Sequence, residues 1–242
     1  MLTSDARVLV IGCHVADFCF RAGGAMLNYV RNGSAVKAVV ITRTVRGESG
    51  KLWKEQPDIT ADRVAEVRRQ EAERAAEIMG VEIEFLEWED NPLIIREDRL
   101  MALSGVIREF RPAIVLTHWG RDRLNQDHEA VSAAVERACG LTGTHSEQWA
   151  PVPRPKVFFF EPDLMSSAIN GFEPDVFIDI TEVVEQKMEA VRVFKTQEGL
   201  ESRWRPNAVT RANHARALCG LTECEYAEAY RRLTPWGGTH FV

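Results

Sequence analysis

The sequence has no apolar run approaching the roughly 20 residues that cross a bilayer. Its opening residues, MLTSDAR, lack the basic-then-apolar build of a secretory signal. A membrane-embedded or exported protein is therefore not expected, and a cytoplasmic one is. Basic charge is scarce: 30 Lys and Arg stand against 36 Asp and Glu, a formal charge of −6. Without a clustered basic footprint, a nucleic-acid or anionic-membrane surface is not expected either. The five cysteines are an odd number at spacings that fit neither a zinc ribbon nor a CxxC redox pair, so they read as reduced and mostly buried thiols. Repeats and low-complexity tracts are also missing.

What is present is alternation. The Val- and Ile-rich runs RVLVIG (7–12) and AVKAVVIT (35–42) read as buried parallel strands, with a helix over 22–33 between them. A helix over 61–79, a strand over 81–88, a helix over 97–110, a strand over 112–119 and a helix over 127–139 follow. Strands over 156–162 and 176–181 and a helix over 182–194 complete the pattern. Strand, helix and strand in succession predict an α/β fold, a Rossmann-like three-layer sandwich with a mostly parallel sheet. Residues 1–242 read as one domain. The Trp-bearing stretch 195–242, with SRWRPN and TPWGG, is expected to form a loop-rich C-terminal cap or a subunit contact, and a homo-oligomer is expected with it.

Parallel sheets bind ligands at the carboxyl ends of their strands. His14 and Asp17 follow the first strand at that edge, and Asp127 and His128 open the helix after the fourth. Two histidines and one aspartate converging there, His14, Asp17 and His128, would make a three-ligand catalytic metal site. The plainer alternatives are hydrogen-bonded loop histidines and a helix-capping Asp127.

These motifs resemble the PIG-L/LmbE-like zinc deacetylases, which carry a His-Pro-Asp-Asp-type motif after the first strand and a His-x-Asp-His-type motif later. Here they read CHVAD and NQDH, and RRQEAERAAEIMGV is similar to the family's Arg-x-x-Glu helix. The resemblance spans roughly 7–200. It implies that His14, Asp17 and His128 bind zinc (Zn2+), with Fe(II) or Co(II) as alternatives. Val15 replaces the family's proline, and a second departure bears on the chemistry. The acid that precedes the metal-binding aspartate is the deacetylases' general base, and here it is Ala16, a methyl group that can neither take nor return a proton.

A branch with that substitution is the 4-oxalomesaconate hydratases, also called 4-carboxy-2-hydroxymuconate hydratases; TRTVRGESGKLW (42–53), FEP (160–162) and PDVFIDIT (174–181) are similar to it. The resemblance implies a metal-dependent hydratase of aromatic-ring catabolism acting on a small polycarboxylate. In it Glu48, in RGESG, activates the water. For the proton donor, Asp163 and His118 are both open, because the loop after FFFEP has no histidine. Arg46, Arg68, Arg121, Arg205 and His214 are the candidates for the substrate's carboxylates, since a guanidinium pairs with a carboxylate bidentately. Two rivals stand beside this reading: a zinc-dependent deacetylase of an N-acetyl small molecule, and a catalytically silent metal-binding or ligand-sensing protein.

Overall fold

The computed structural model describes residues 6–145, 149–235 and 237. In chain order the elements are β1 (Arg7–Gly12), α1 (Asp17–Arg31), β2 (Ala35–Thr42), α2 (Gly50–Glu55), α3 (Ala61–Met79), β3 (Glu82–Trp88), α4 (Glu97–Phe110) and β4 (Ile114–His118). They continue with α5 (Gln126–Leu141), β5 (Lys156–Phe160), α6 (Leu164–Ser167), β6 (Val176–Asp179), a 3-10 turn at Thr181–Val183, α7 (Val184–Val191), α8 (Leu200–Cys219) and β7 (Ala227–Arg232).

Seven strands form one sheet in the order β3-β2-β1-β4-β5-β7-β6. β1 pairs in parallel with β2 on one side and β4 on the other, and β7 runs antiparallel to both its neighbours, β5 and β6. Period-two alternation sends successive side chains to opposite faces. Val8 and Val10 thus join the core beneath α1, α3 and α7, while Leu9 and Ile11 join the core beneath α4 and α5. The result is the expected three-layer sandwich.

Local signals explain most boundaries. The Thr60 hydroxyl caps α3 by accepting the Arg63 N–H, and Gly80 ends the helix at φ +68°, a left-handed conformation that glycine adopts without strain. α1 begins at Asp17, five residues before the expected helix. The stretch expected as a loop-rich cap carries α8, 20 residues long, and β7. α8 buries Trp204 together with Ala208, Ala212 and Ala215, and the three alanines give the buried face weak hydrophobic contrast. Trp236 and residues 238–242 of that stretch lie outside the described residues.

Candidate metal centre

The strand order reverses at β1, which makes the crevice between the carboxyl ends of β1 and β4 the expected ligand position. The chain leaves β1 at Gly12 and turns at once into α1. Asp17 N–H donates to the His14 carbonyl at 3.1 Å, and His14 N–H donates to Asp17 Oδ2 at 2.7 Å, so the turn itself fixes both side chains. His128, in the first turn of α5, enters from the far side of the crevice. His14 Nδ1 lies 3.2 Å from His128 Nε2 and 3.5 Å from Asp17 Oδ2, and His128 Nε2 lies 3.6 Å from Asp17 Oδ2. All three residues are buried.

Donor atoms about 2.0–2.1 Å from a tetrahedral zinc ion are roughly 3.3 Å apart, so this spacing suits one ion. The outer ring atoms support that assignment. His128 Nδ1 is 2.9 Å from Asp122 Oδ2, and His14 Nε2 is 3.8 Å from Asp127 Oδ2. Carboxylates on the far nitrogens of two imidazoles orient the near nitrogens toward a cation. Asp127 is itself held by the N–H groups of Asn91 and Leu93 at 2.7 and 2.8 Å. Burial opposes its ionisation, but the His14 imidazole and those two N–H donors pull its pKa down to about 2. At Asp17 burial likewise opposes the charge, and the imidazoles of His118 and His128 outweigh it, holding the carboxyl well below its usual range.

Glu48 completes the group. Its Oε1 is 3.7 Å from His14 Nδ1, and one ligand atom each of His14, Asp17, Glu48 and His128 falls within 4.8 Å of the others. The loop that presents it is built around Asp90, just past β3. Asp90 Oδ1 accepts the Val45 N–H at 2.9 Å, and Oδ2 accepts those of Arg46 and Gly47 at 2.9 and 2.5 Å. Three successive amides wrapped on one carboxylate hold Glu48 at φ +61°, a strained backbone position for a side chain of this size.

Residues 9–139 match the family model PIG-L, described as GlcNAc-PI de-N-acetylase. The chain belongs to the PIG-L family. A 4-oxalmesaconate hydratase of Pseudomonas putida is 34% identical over 242 residues, covering 97% of this chain and 92% of its own. A diacetylchitobiose deacetylase of Thermococcus kodakarensis is 28% identical over 240 residues, covering 93% and 82%. Among solved structures, the 4-carboxy-2-hydroxymuconate hydratase from Pseudomonas putida KT2440 superposes with a TM-score of 0.92 at 32% identity, covering 98% of this chain and all of its own. The N,N'-diacetylchitobiose deacetylase from Pyrococcus horikoshii, at 20% identity and a TM-score of 0.76 over 94% of this chain and 84% of its own, shares the PIG-L fold.

In this PIG-L chain the other expected residues divide by position. Ala16, at the place of the deacetylases' base, is buried beside Asp17. His118 sits at the end of β4, stacked on His128 with ring centroids 4.0 Å apart, and its Nε2 accepts the Cys13 N–H at 2.9 Å. Burial and the neighbouring His128 push its pKa down to about 3, and the same Nε2 lies 3.3 Å from Asp17 Oδ2. His118 thus stands against two members of the cluster, Asp17 and His128.

Asp163 is outside the ligand cluster; it lies 4.0 Å from Arg203 and lines a small cavity with Arg21, Glu161 and Arg211. Arg46 and Arg121 are exposed on the loops after β2 and β4. Arg68 is fully buried and bonded to Glu71, Thr196 and Gln197, which removes it from the carboxylate-binding set. Arg205 is removed too, since it pairs with Glu185 and Glu201 on the outer surface. His214 Nδ1 is 3.0 Å from Arg211 Nη1, and Arg211 is itself paired with Glu161, so this histidine is not in the ligand cluster.

Sequence reasoning missed Arg21, whose Nε donates to Asp17 Oδ1 at 3.2 Å and whose Nη1 donates to the Glu161 carbonyl at 2.9 Å. The i, i+4 spacing from Asp17 would have shown it had α1 been started at Asp17. Asp90 and Asp122 were legible by the rule that found His14: each lies in a loop just past a strand's carboxyl end.

Proposed function

We propose that this PIG-L chain is a metal-dependent hydratase that adds water to an unsaturated oxo-carboxylic acid, 4-oxalomesaconate (4-carboxy-2-hydroxymuconate), in the breakdown of aromatic rings. The observation that carries the reading is the pairing of a buried Ala16 with Glu48 Oε1 placed 3.7 Å from His14 Nδ1. The position that serves amide hydrolysis is blank, and a carboxylate from another loop faces the same cluster. The full-length likeness to a protein named 4-oxalmesaconate hydratase supports the same choice over a deacetylase.

In this reading His14 Nδ1, Asp17 and His128 Nε2 hold the ion, with zinc favoured by a His2Asp donor set. A divalent ion there supplies Lewis acidity to a water molecule and to a substrate oxygen. Glu48 orients the attacking water and takes its proton as the new C–O bond forms. Electrons of the conjugated double bond move toward the substrate's oxo group, and the neighbouring carbon is then protonated. Asp163 is the acid candidate for that last step, reached through the cavity it shares with Arg21. Arg46 and Arg121, on the two loops that rim the crevice, meet the substrate's carboxylates. Exposed Leu218 and Val209 on α8 support assembly into a homo-oligomer, which light scattering tests.

The decisive assay follows the ultraviolet absorbance of 4-carboxy-2-hydroxymuconate on mixing with purified protein of known metal content. Wild type should bleach it, and Ala16→Asp, which adds a second carboxylate beside Asp17, should do so at least about 10²-fold more slowly. Absence of bleaching together with acetate release from an N-acetylated sugar would replace this reading with the deacetylase.

A further inference from the structure

Glu48 lies on a loop, its side chain about one-fifth exposed, and a carboxylate there needs a second contact to face one way. That contact comes from far along the chain. Glu48 Oε2 accepts from Gln197 Nε2 at 3.1 Å, and Gln197 Oε1 accepts from Arg68 Nη2 at 2.9 Å. The direction of the amide is dictated by chemistry. A guanidinium only donates, so the Gln197 oxygen must turn to Arg68, and the NH2 group is left for Glu48.

Arg68 cannot drift. It is fully buried, and its Nη1 donates to Glu71 Oε2 at 2.9 Å and to Thr196 Oγ1 at 2.5 Å. Glu71 in turn accepts the Thr196 N–H at 2.9 Å. The segment before α8 is thereby clamped on α3, and its next residue, Gln197, reaches the catalytic loop.

We propose that Gln197, aligned by Arg68, is a positioning residue for Glu48: it engages Oε2 and so leaves Oε1 facing His14 and the substrate. This rests on the reading of Glu48 as the base. Gln197 lies beyond residues 9–139, the stretch that matches the family model, so the device belongs to the C-terminal part of this chain.

Two variants separate positioning from support of the fold. Gln197→Leu removes both the donor to Glu48 and the acceptor for Arg68. Gln197→Glu keeps an acceptor for Arg68, removes the donor and sets a second carboxylate against Glu48, which turns attraction into repulsion. Both should lower kcat for hydration of 4-carboxy-2-hydroxymuconate by about 10-fold or more, with KM and bound metal unchanged, because a small misplacement of a catalytic group costs rate. Thermal unfolding should shift for Gln197→Leu alone. In a Glu48→Ala background neither change should lower kcat further, since Gln197 acts through Glu48.

A Gln197→Glu variant with wild-type kcat, or equal losses with and without Glu48, overturns the proposal. Should the wild type fail to hydrate this substrate, the proposed function falls, and crystal structures of the variants decide the positioning. Glu48 Oε1 turned from His14 in Gln197→Glu upholds it, and an unmoved carboxylate overturns it.

Discussion

The ion pair Lys187–Glu228 is buried and gives an asymmetric prediction. Lys187 Nζ lies 2.7 Å from Glu228 Oε1, 2.8 Å from the Phe20 carbonyl and 3.8 Å from the Trp204 ring centroid. Glu228 also accepts the N–H groups of Gly24 and Ala25 at 2.7 and 2.9 Å and the Tyr230 hydroxyl at 2.6 Å. Burial pulls the Lys187 pKa below its ordinary value, against the pull of Glu228.

Removing the anion leaves the cation with one carbonyl and a ring, whereas removing the cation leaves the anion with three donors. Glu228→Gln should therefore cost about 3–5 kcal/mol, the usual penalty for stranding a buried charge. Lys187→Met, which fills the space with an apolar chain, should cost about 1–3 kcal/mol. Urea unfolding followed by tryptophan fluorescence, with Trp204 as a local reporter, measures both, and the double variant gives the coupling. Equal costs for the two single changes, or a Glu228→Gln cost under about 1 kcal/mol, would refute the argument that donor count sets the penalty.

Three further outcomes are expected. Asp122→Asn should weaken metal binding about 10- to 100-fold in a chelator competition, because His128 loses the carboxylate that orients its ring; unchanged affinity would remove Asp122 from the centre. Gly24→Ala should destabilise by about 1–3 kcal/mol, since a Cβ there would come within 2.5 Å of Ile180 Cγ2, and urea unfolding reads the loss. Asp163→Asn should lower kcat for hydration by about 10²-fold with bound metal unchanged, and full activity would send the search for the proton donor elsewhere.

How much of this was legible in the chain depends on how local the cause is. β1, β2, α3 and α4 could be bounded closely because their apolar periods and caps lie within the segment. The cluster of His14, Asp17 and His128 was legible because strand ends mark the crevice and the spacing of His14 and Asp17 makes one turn. β7 was missed because Glu228 and two arginines disguise a strand whose first four residues are buried. Arg68 was placed in the cleft because an arginine's burial depends on partners over a hundred residues away, Thr196 and Gln197, which no window can see. The contact of His118 Nε2 with the Cys13 N–H joins residues 105 apart in sequence and was equally out of reach of any local pattern.

The antiparallel insertion of β7 sets an order of assembly. Among the described residues β6 pairs with β7 alone, and β7 pairs with β5 on its other side, so β6 joins the sheet only once β7 is in place. The five parallel strands can close without it, carrying His14, Asp17 and His128 with them. Gln197 lies between β6 and β7, in the segment that Arg68 and Glu71 hold on α3. The proposed base, Glu48, is therefore aimed by a residue that follows, in chain order, all five parallel strands and the cluster of His14, Asp17 and His128.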